Sequence, residues 1–211
     1  MNRPEPPPKK ASRIQTKNRK VILEAALEVF SASGFRGATI DRIAEKAGLS
    51  KPNLLYYYRS KEAIYVAVLE DTLALWLEPL AALDPEGDPL QEIGRYITAK
   101  LEMSRLRPAA SRLFANEILH GAPAIGDFLK GPLREMVDRE AAVIAGWIAK
   151  GKLAPVDPRH LIMMIWAMTQ HYADFDTQVQ AVLGPSASKE RFAAARETAL
   201  AVLLEGLRPR G

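Results

Sequence analysis

Residues 39–61 read TIDRIAEKAGLSKPNLLYYYRSK. Thr39 and Ser50 each precede a helical pattern, and each side chain can accept a hydrogen bond from an otherwise unpaired amide in the first turn of a helix. Gly48 can adopt the positive φ that ends the first of these helices. The stretch therefore predicts two short crossing helices, a helix-turn-helix in which the start of the second helix reaches the base edges of DNA.

The first turn of the second helix carries side chains that can read DNA. Lys51 can reach guanine acceptors or a phosphate, and Asn53 can pair with adenine through two hydrogen bonds. Pro52 loses nothing in the first turn, because an amide there has no partner within the helix. These three residues favour direct contact with bases and backbone. An ordinary helical hairpin with a solvated polar face is the alternative interpretation.

The rest of the second helix divides into two faces. Leu54 and Tyr58 lie four residues apart and are predicted to point inward. Ser60 then begins the following helix, with Lys61 in its first turn, and the start of a helix beside a lysine suits a phosphate. The outward side chains could contact a thymine methyl group or phosphate oxygens. They are Leu55, Tyr56 and Tyr57.

Charge is distributed unevenly along the chain. Residues 1–61 hold 13 Lys and Arg against 5 Asp and Glu, a net charge of +8, whereas the other 16 and 20 leave −4. A basic segment is the electrostatic footprint of a polyanionic partner, here double-stranded DNA. Residues 1–15, rich in proline and basic side chains, are predicted to be a disordered arm that touches DNA. A merely solubilising tail is the equal alternative.

Composition limits the class of protein. Apolar residues make up 48% of the 211, enough for a core, and the absence of cysteine excludes disulfide and thiolate chemistry. No apolar run approaches the ~20 residues that span a bilayer, and the start of the chain lacks the apolar stretch of a signal peptide. We expect a protein of the bacterial cytoplasm, on the nucleoid, without membrane contact.

The apolar spacing predicts an all-α fold of about nine helices, because no stretch shows the alternation of a strand. Prolines mark the ends of several of these helices. After the helix-turn-helix we predict helices over residues 60–83, 89–106, 108–120, 123–151, 158–183 and 188–207. The expected domains are a disordered arm at 1–15, a three-helix DNA-binding domain at 16–62, and a ligand-binding and dimerisation domain at 63–211.

The last two predicted helices carry more apolar residues than one amphipathic face requires. A second apolar face needs a second partner, and helix-turn-helix proteins read two half-sites as two-fold dimers. We therefore predict a homodimer through these helices, with a deeply buried helix as the alternative. The residues concerned are Leu161, Ile162, Ile165, Trp166, Met168, Thr169, Leu200, Val202, Leu203 and Leu204.

The N-terminal module resembles that of TetR-type transcriptional regulators. The resemblance rests on residues 25–30 (AALEVF), 34–35 (GF), Thr39, 43–44 (IA), 47–48 (AG) and 60–62 (SKE). It implies DNA contacts at Thr39, Lys51, Pro52, Asn53, Leu55, Tyr56, Tyr57 and Lys61. The capping residue Ser50 is a further candidate for DNA contact. The family usually has a small residue and Thr after the Lys, then Leu-Tyr-Tyr and Phe. Here Pro52, Asn53, Leu55 and Tyr58 replace them, so the operator sequence stays open.

The second half is similar to the pyrimidine-utilisation, or Rut-type, branch of the same family. The similar segments are 53–58 (NLLYYY), 111–114 (SRLF), 121–123 (GAP), 151–155 (GKLAP) and 166–175 (WAMTQHYADF). The resemblance implies a dimer that senses uracil or thymine and leaves its palindromic operator when that inducer binds. No cofactor is implied. A TetR-type repressor of efflux, sensing a drug or lipid, is the first alternative.

A uracil edge alternates acceptor, donor and acceptor, so its site needs an amide and a flat apolar wall. Gln170 and Trp166 lie four apart on one helical face, and Thr169 adds a hydroxyl. Other helices of a bundle could close the pocket. The candidates there are Trp76, Phe114, Asn116 and Phe128. Plain core packing is the alternative for each of these residues.

Enzymatic function is the remaining alternative, together with a helical interaction module. Glu117 and His120 form one Glu-x-x-His pair, and His171 with Asp174 forms another close pair. A carboxylate metal site in a bundle needs two Glu-x-x-His motifs and further glutamates. No phosphate loop or nucleophile motif is present. We therefore predict no catalytic residue and no metal site, and interpret residues 34–37 (GFRG) as the turn that follows the first helix.

Overall fold

The computed structural model describes residues 13–184 and 188–209, and every regular element within them is helical. This confirms the all-α prediction. The described residues form eleven α-helices and one π-helical turn, Leu129–Leu133. The α-helices are α1 Arg13–Gly37, α2 Ile40–Lys46, α3 Lys51–Tyr57, α4 Lys61–Ala81, α5 Pro89–Leu106, α6 Pro108–Leu119, α7 Gly126–Phe128, α8 Arg134–Ala149, α9 Pro158–Asp174, α10 Asp176–Leu183 and α11 Ser188–Leu207.

The chain divides into two compact units, Met1–Val68 and Leu69–Gly211. The division falls inside α4, six residues after the boundary predicted at 62/63. Helix α4 therefore contributes residues to both units. None of the described helices is long and apolar enough to cross a membrane.

Unit 1 is built on a long first helix that bends near its end. Gly34 has φ +67° and ψ 173°, so the turn predicted at residues 34–37 is a kink within the last residues of α1. The predicted disordered arm is too long at its end, because Arg13–Gln15 begin α1. The chain carries no helix-breaking residue there, so the helix continues. Residues 1–12 of that arm lie outside the described residues.

The core of unit 1 is apolar and partly aromatic. Ile22, Phe30, Ile43, Leu54 and Ile64 are all at most 1% exposed. The ring of Phe30 meets that of Tyr65 edge-on, with centroids 5.0 Å apart. Such aromatic pairs add stability beyond the apolar area that they bury. This core gives α2 and α3 a fixed base.

Two of the predicted helices are divided in the structure. The helix predicted at 123–151 is instead α7, the π-helical turn and α8. Pro132 lies inside the π-helical turn, where its lack of an amide removes a regular helical hydrogen bond. The helix predicted at 158–183 breaks at Phe175, whose φ of −113° and ψ of 32° are not helical. No Gly or Pro marks that break, so the sequence pattern did not reveal it.

Unit 2 packs α5, α8, α9 and α11 around one core. Trp147 is 1% exposed, and its Nε1 donates to the carbonyl oxygen of Pro85 at 2.8 Å. The loop before α5 is thereby fixed to α8. The same core contains Tyr96 of α5 and Ile162 of α9, which places these two helices in direct contact.

Candidate DNA-binding and effector sites

Helices α2 and α3 each begin at a capping side chain. Thr39 Oγ1 accepts from the amide of Arg42 at 3.3 Å, and Ser50 Oγ accepts from the amide of Asn53 at 3.4 Å. Leu54 is fully buried and Tyr58 is 8% exposed, which confirms the prediction that both point inward. The caps and these two anchors fix the position of the first turn of α3.

The first turn of α3 lies open to solvent. Lys51, Pro52 and Asn53 are exposed, and Tyr56 is 72% exposed. Lys51 Nζ bonds to Asp41 Oδ2 at 2.9 Å, an ion pair in which both side chains are at least half exposed. A phosphate could replace the carboxylate in this pair, because an exposed ion pair contributes little stability.

Leu55 and Tyr57 are half-buried rather than fully outward. The hydroxyl oxygen of Tyr57 accepts from Asn18 Nδ2 at 2.7 Å, which joins α3 to α1. Arg19 of α1 also places its guanidinium 5.2 Å from the centroid of the Tyr58 ring. The sequence analysis did not assign Asn18 and Arg19 a role in supporting α3. The only signal for them in the sequence is the basic and polar composition of this part of α1.

Lys61 occupies a different environment from the phosphate site that the sequence suggested. Its Nζ donates to the carbonyl oxygens of Phe35 at 2.9 Å and Ala38 at 3.1 Å. It also lies 4.5 Å from the centroid of the Phe35 ring. These carbonyls end α1, where no helical amide can satisfy them. The Lys61 ammonium therefore joins the end of α1 to the start of α4. A phosphate that contacted this ammonium would have to share it with the two carbonyl oxygens.

The structure brings two of the predicted effector residues together in unit 2. The rings of Trp76 in α4 and Phe114 in α6 meet edge-on, with centroids 5.5 Å apart. Trp166 in α9 donates through Nε1 to the hydroxyl oxygen of Tyr96 in α5 at 2.5 Å. Burial raises the pKa of Tyr96 well above its usual value, so this hydroxyl stays protonated. Gln170 and Phe128 are half-buried.

Two further predicted effector residues are Thr169 and Asn116. Thr169 is fully buried. Its hydroxyl donates to the carbonyl oxygen of Ile165 at 2.6 Å, and this hydrogen bond lies within α9. Asn116 is exposed. It lies two residues from Phe114, which turns it to a different side of α6, because successive helical residues are ~100° apart. The effector contacts of Thr169 and Asn116 stay predictions.

Lys100 in α5 is a buried charge that the sequence analysis missed. It is 3% exposed, and its Nζ lies 4.6 Å from the centroid of the Trp76 ring. Burial lowers the pKa of Lys100 to about 8, although the carboxylate of Asp174 attracts the ammonium and opposes this shift. Helical spacing does place Lys100 four residues after Tyr96 on the face of α5 that points inward. That position was the only signal in the sequence.

Asp174 and Trp76 complete this cluster. Burial raises the pKa of Asp174, while the hydroxyl of Ser111, which donates to Asp174 Oδ1, and the charge of Lys100 lower it. The indole Nε1 of Trp76 is buried and has no hydrogen-bond partner among the described residues. A buried donor without a partner is rare and marks a position where a missing acceptor belongs.

The residues considered for a metal site do not converge. Glu117 Oε1 accepts from the amide of Ala124 at 2.6 Å, and His120 Nδ1 lies 2.7 Å from the carbonyl oxygen of Asn116. His171 stacks on Phe175, with ring centroids 5.1 Å apart. Within residues 13–184 and 188–209, no group of three or more potential ligands could hold a metal ion.

Helices α9 and α11 form an open apolar groove of about 560 Å³. Met168, Val202 and Leu203, three of the residues predicted to form the dimer interface, line it together with Met164. Met163, Met164 and Val202 are 43%, 56% and 66% exposed. Other residues of the predicted interface belong instead to the buried core. They are Leu161, Ile162, Ile165 and Thr169.

Comparison with known proteins covers both units. Residues 22–68 match the model of the family described as bacterial regulatory proteins, tetR family, and residues 69–210 match that of the YcdC-like protein, C-terminal region. The two matches meet at Val68 and Leu69, where the structure divides.

Two relatives and one solved structure are particularly similar to this chain. The HTH-type transcriptional regulator RutR of Escherichia coli (strain K12) is 52% identical over 202 residues, which are 95% of each chain. RutR of Shigella flexneri shows the same identity and coverage. A crystal structure of a bacterial regulatory protein in the tetR family from Rhodococcus RHA1 has a TM-score of 0.70 at 20% identity, covering 92% of this chain and 99% of that one. Both relatives are named HTH-type transcriptional regulators.

Proposed function

Because the chain belongs to the TetR family of bacterial regulatory proteins, we propose that it binds a palindromic operator as a homodimer and is released by uracil or thymine. The genes that it controls are those of pyrimidine utilisation. The protein acts in the cytoplasm, on the nucleoid, where its DNA target lies. The observation that carries DNA binding is the open first turn of α3, fixed by the Ser50 cap and the buried Leu54. The pyrimidine signal rests on the 52% identity to RutR and on the effector cluster of unit 2, which consists of Trp76, Lys100, Phe114 and Asp174.

The proposed contacts to bases come from Lys51, Pro52 and Asn53, with Leu55, Tyr56 and Tyr57 beside them. Thr39 and Ser50 lie at the starts of α2 and α3, where exposed amides and hydroxyls suit phosphate oxygens. Lys61 is proposed as a positioning residue, because its ammonium already bonds to two carbonyl oxygens. Its contribution to DNA binding is through the placement of α4.

Base reading is tested by changing one helix turn. An operator is first selected from a random duplex pool, and the affinities of the protein for this operator and for random DNA are measured by fluorescence anisotropy. Asn53→Ala should lower operator affinity by about 5- to 150-fold and leave the affinity for random DNA nearly unchanged, since a bidentate base contact is worth about 1–3 kcal/mol. Lys51→Ala should weaken both. Arg159→Ala, which removes an exposed charge from unit 2, is the control. Equal losses of Asn53→Ala on both DNAs would contradict the assignment.

Release by the effector is proposed as a population shift. Trp76 lies in the part of α4 that belongs to unit 2, whereas Lys61 lies in the part that belongs to unit 1. A ligand that moves Trp76 can therefore change the position of α3 in each subunit. Half-sites one helical turn apart are about 34–36 Å from each other, so a small change of spacing prevents simultaneous contact.

Calorimetry with uracil, thymine, cytosine and a fatty acid tests the signal, and operator affinity at saturating uracil tests the release. Binding of uracil or thymine together with a loss of operator affinity is the expected result. Pyrimidine binding without a change in operator affinity would refute the release mechanism. Binding of the fatty acid alone would leave a TetR-type regulator with a different inducer.

The proposed dimer interface is the groove between α9 and α11, which Met164 lines, together with the exposed Met163 beside it. Val202→Glu should convert a dimer to a monomer in sedimentation velocity, because it places a charge in an apolar interface. Val182→Glu is the matched control, since Val182 of α10 is 75% exposed and lies outside the groove. A dimer that survives Val202→Glu, or one that Val182→Glu also dissociates, would contradict this interface.

A further inference from the structure

Two neighbouring residues of α1 contact two neighbouring tyrosines at the end of α3. Asn18 Nδ2 donates to the hydroxyl oxygen of Tyr57 at 2.7 Å, and the guanidinium of Arg19 lies 5.2 Å from the centroid of the Tyr58 ring. Helix α3 has only seven residues, fewer than two turns, and a helix of that length depends on packing for its stability. Side chains of α1 therefore help to fix the position of the last turn of α3.

The hydrogen bond with Asn18 determines how the Tyr57 hydroxyl can bind a further group. A phenol has one proton to donate, and its oxygen can also accept a hydrogen bond. In this bond the Asn18 amide is the donor, so the bond does not use the Tyr57 proton. Hydrogen bonds in a chain polarise one another, and an oxygen that accepts from an amide makes its own proton a stronger donor. The Tyr57 proton is therefore suited to an acceptor with negative charge.

The surroundings of Tyr57 indicate which acceptor this is. Tyr57 follows Asn53 by four residues, so the two side chains lie on one face of α3. Asn53 is exposed and Tyr57 is half-buried. On α1, the exposed lysines Lys17 and Lys20 lie on either side of Asn18 in the sequence. Positive charge beside a proposed base-reading residue attracts DNA phosphates, whose oxygens are anionic acceptors.

We propose that Asn18 is a positioning residue for DNA binding: its amide holds the Tyr57 hydroxyl so that the hydroxyl proton is donated to a phosphate oxygen of the DNA backbone. Asn18 acts through Tyr57 and does not itself contact DNA. This inference rests on the proposed DNA binding, to which it adds a residue from outside α2 and α3. Because a phosphate contact carries no sequence information, Asn18 contributes to the binding of every duplex alike, whereas Asn53 contributes to the operator alone.

A hydrogen bond that only joined α1 to α3 would give different results. Its loss would let α3 shift and disturb base reading, so operator affinity would fall more than affinity for random DNA. An aspartate in place of Asn18 would keep the two helices joined, because a carboxylate accepts the Tyr57 proton. The positioning role predicts the reverse for both. The two affinities fall alike, and the aspartate weakens binding because it withdraws the proton from the phosphate.

Anisotropy titrations of the full chain with the selected operator and with random DNA test this role. Tyr57→Phe should lower affinity for both DNAs about tenfold, as the loss of a hydrogen bond to a charged group requires. Asn18→Leu keeps the volume of the side chain and removes its amide, and affinity for both DNAs should fall about threefold or more. Asn18→Asp keeps the shape of the side chain and reverses the direction of the hydrogen bond. Its loss should exceed that of Asn18→Leu.

The charge that Asn18→Asp adds also repels DNA, and a second chain measures this repulsion separately. Asn18→Asp combined with Tyr57→Phe keeps the repulsion but has no hydroxyl, so the loss that the aspartate causes should be smaller there than in the chain with Tyr57. Ser31→Ala is the matched control on α1, because the exposed Ser31 hydroxyl bonds to the carbonyl oxygen of Glu28 within the same helix. This control should bind both DNAs as the unchanged protein does.

The outcomes separate this inference from the proposed function. Unchanged binding by Asn18→Leu, a loss confined to the operator, or an equal loss from Asn18→Asp with and without the Tyr57 hydroxyl would overturn the positioning role and leave DNA binding by α3 intact. If denaturant unfolding shows that Asn18→Leu does not fold, Asn18→Asp and its combination with Tyr57→Phe decide the proposal. Failure of the unchanged protein to bind any duplex in a salt-dependent manner would overturn both.

Discussion

Two lysines lie over aromatic rings at almost the same distance, one in each unit of the chain. Lys61 Nζ is 4.5 Å from the centroid of Phe35, and Lys100 Nζ is 4.6 Å from that of Trp76. Lys61 also donates to two carbonyl oxygens at the end of α1, whereas Lys100 is 3% exposed and the carboxylate of Asp174 attracts its ammonium. The same contact with a ring therefore accompanies a helix-end contact in unit 1 and a buried charge in unit 2.

The difference shows how burial and hydrogen bonding together assign a role to a charge. A half-buried lysine that satisfies helix-end carbonyls stabilises the fold it belongs to. A lysine that is 3% exposed, with a ring and a carboxylate near it, is costly to keep charged. Strongly shifted pKa values cluster at functional sites, and this supports the place of Lys100 in the proposed effector site.

The largest expected effect is a change of folding stability with pH that is due to Lys100. The pKa of Lys100 is lowered from its usual 10.5 to about 8, so the unfolded chain binds its proton more tightly than the native state does. Lys100 should therefore contribute a rise in stability between about pH 8 and pH 10.5. The rise is about 3 kcal/mol at 1.36 kcal/mol per pKa unit. Denaturant unfolding without effector at a series of pH values measures it.

The control for this pH effect is Lys100→Met, in which the rise should disappear. Asp174 faces Lys100 from α9, where burial raises the pKa of its carboxyl and the Ser111 hydroxyl and the charge of Lys100 lower it. Tyr96 lies on the same helix, and because burial raises its pKa above the usual 10.0, it lowers stability as the pH rises above about 10, in the unchanged protein and in Lys100→Met alike. Trp76 and Phe114, from α4 and α6, do not titrate. An identical rise in Lys100→Met would show that Lys100 is not the group responsible and would weaken its contrast with Lys61.

The next effect tests whether Lys61 is structural. Lys61→Met keeps the stem over Phe35 and removes two charge-assisted hydrogen bonds, so unit 1 should lose about 2 kcal/mol of stability. The salt dependence of DNA binding by the folded variant should stay the same. A direct phosphate contact predicts the opposite, a salt slope reduced by about 1 with stability unchanged. Arg59→Met, which removes an exposed charge two residues away, is the control for stability.

How far the sequence predicts each region follows from the same comparison. The DNA-reading turn was predictable because its determinants are local: the Ser50 cap accepts from Asn53 three residues on, and Leu54 and Tyr58 follow helical spacing. Lys61 was placed in the correct turn of the correct helix, yet its partners at Phe35 and Ala38 lie 26 and 23 residues away. No local sequence pattern predicts contacts between residues that far apart in the chain.

The effector cluster was less predictable, because packing of distant segments creates it. Trp76 and Phe114 were expected from the aromatic residues of a bundle, but the role of Lys100 depends on α4 and α9 closing over it. The break of α9 at Phe175 was also hidden, since it accompanies contacts of Asp174 with Ser111 and of Ala173 with Arg112. These contacts join positions more than 60 residues apart.

The smallest expected effect concerns a third lysine, Lys51, whose partner is exposed. Its pair with Asp41 should contribute less than about 1 kcal/mol, so Asp41→Asn should leave stability nearly unchanged. The same change removes a negative charge beside the DNA-reading turn and releases Lys51 for a phosphate. Affinity for random DNA at low salt should therefore rise several-fold, and the gain should shrink as salt screens the charge. Anisotropy titrations at two salt concentrations measure this. A large loss of stability in Asp41→Asn would instead show that Lys51, like Lys61, stabilises the fold through its charge rather than binding DNA.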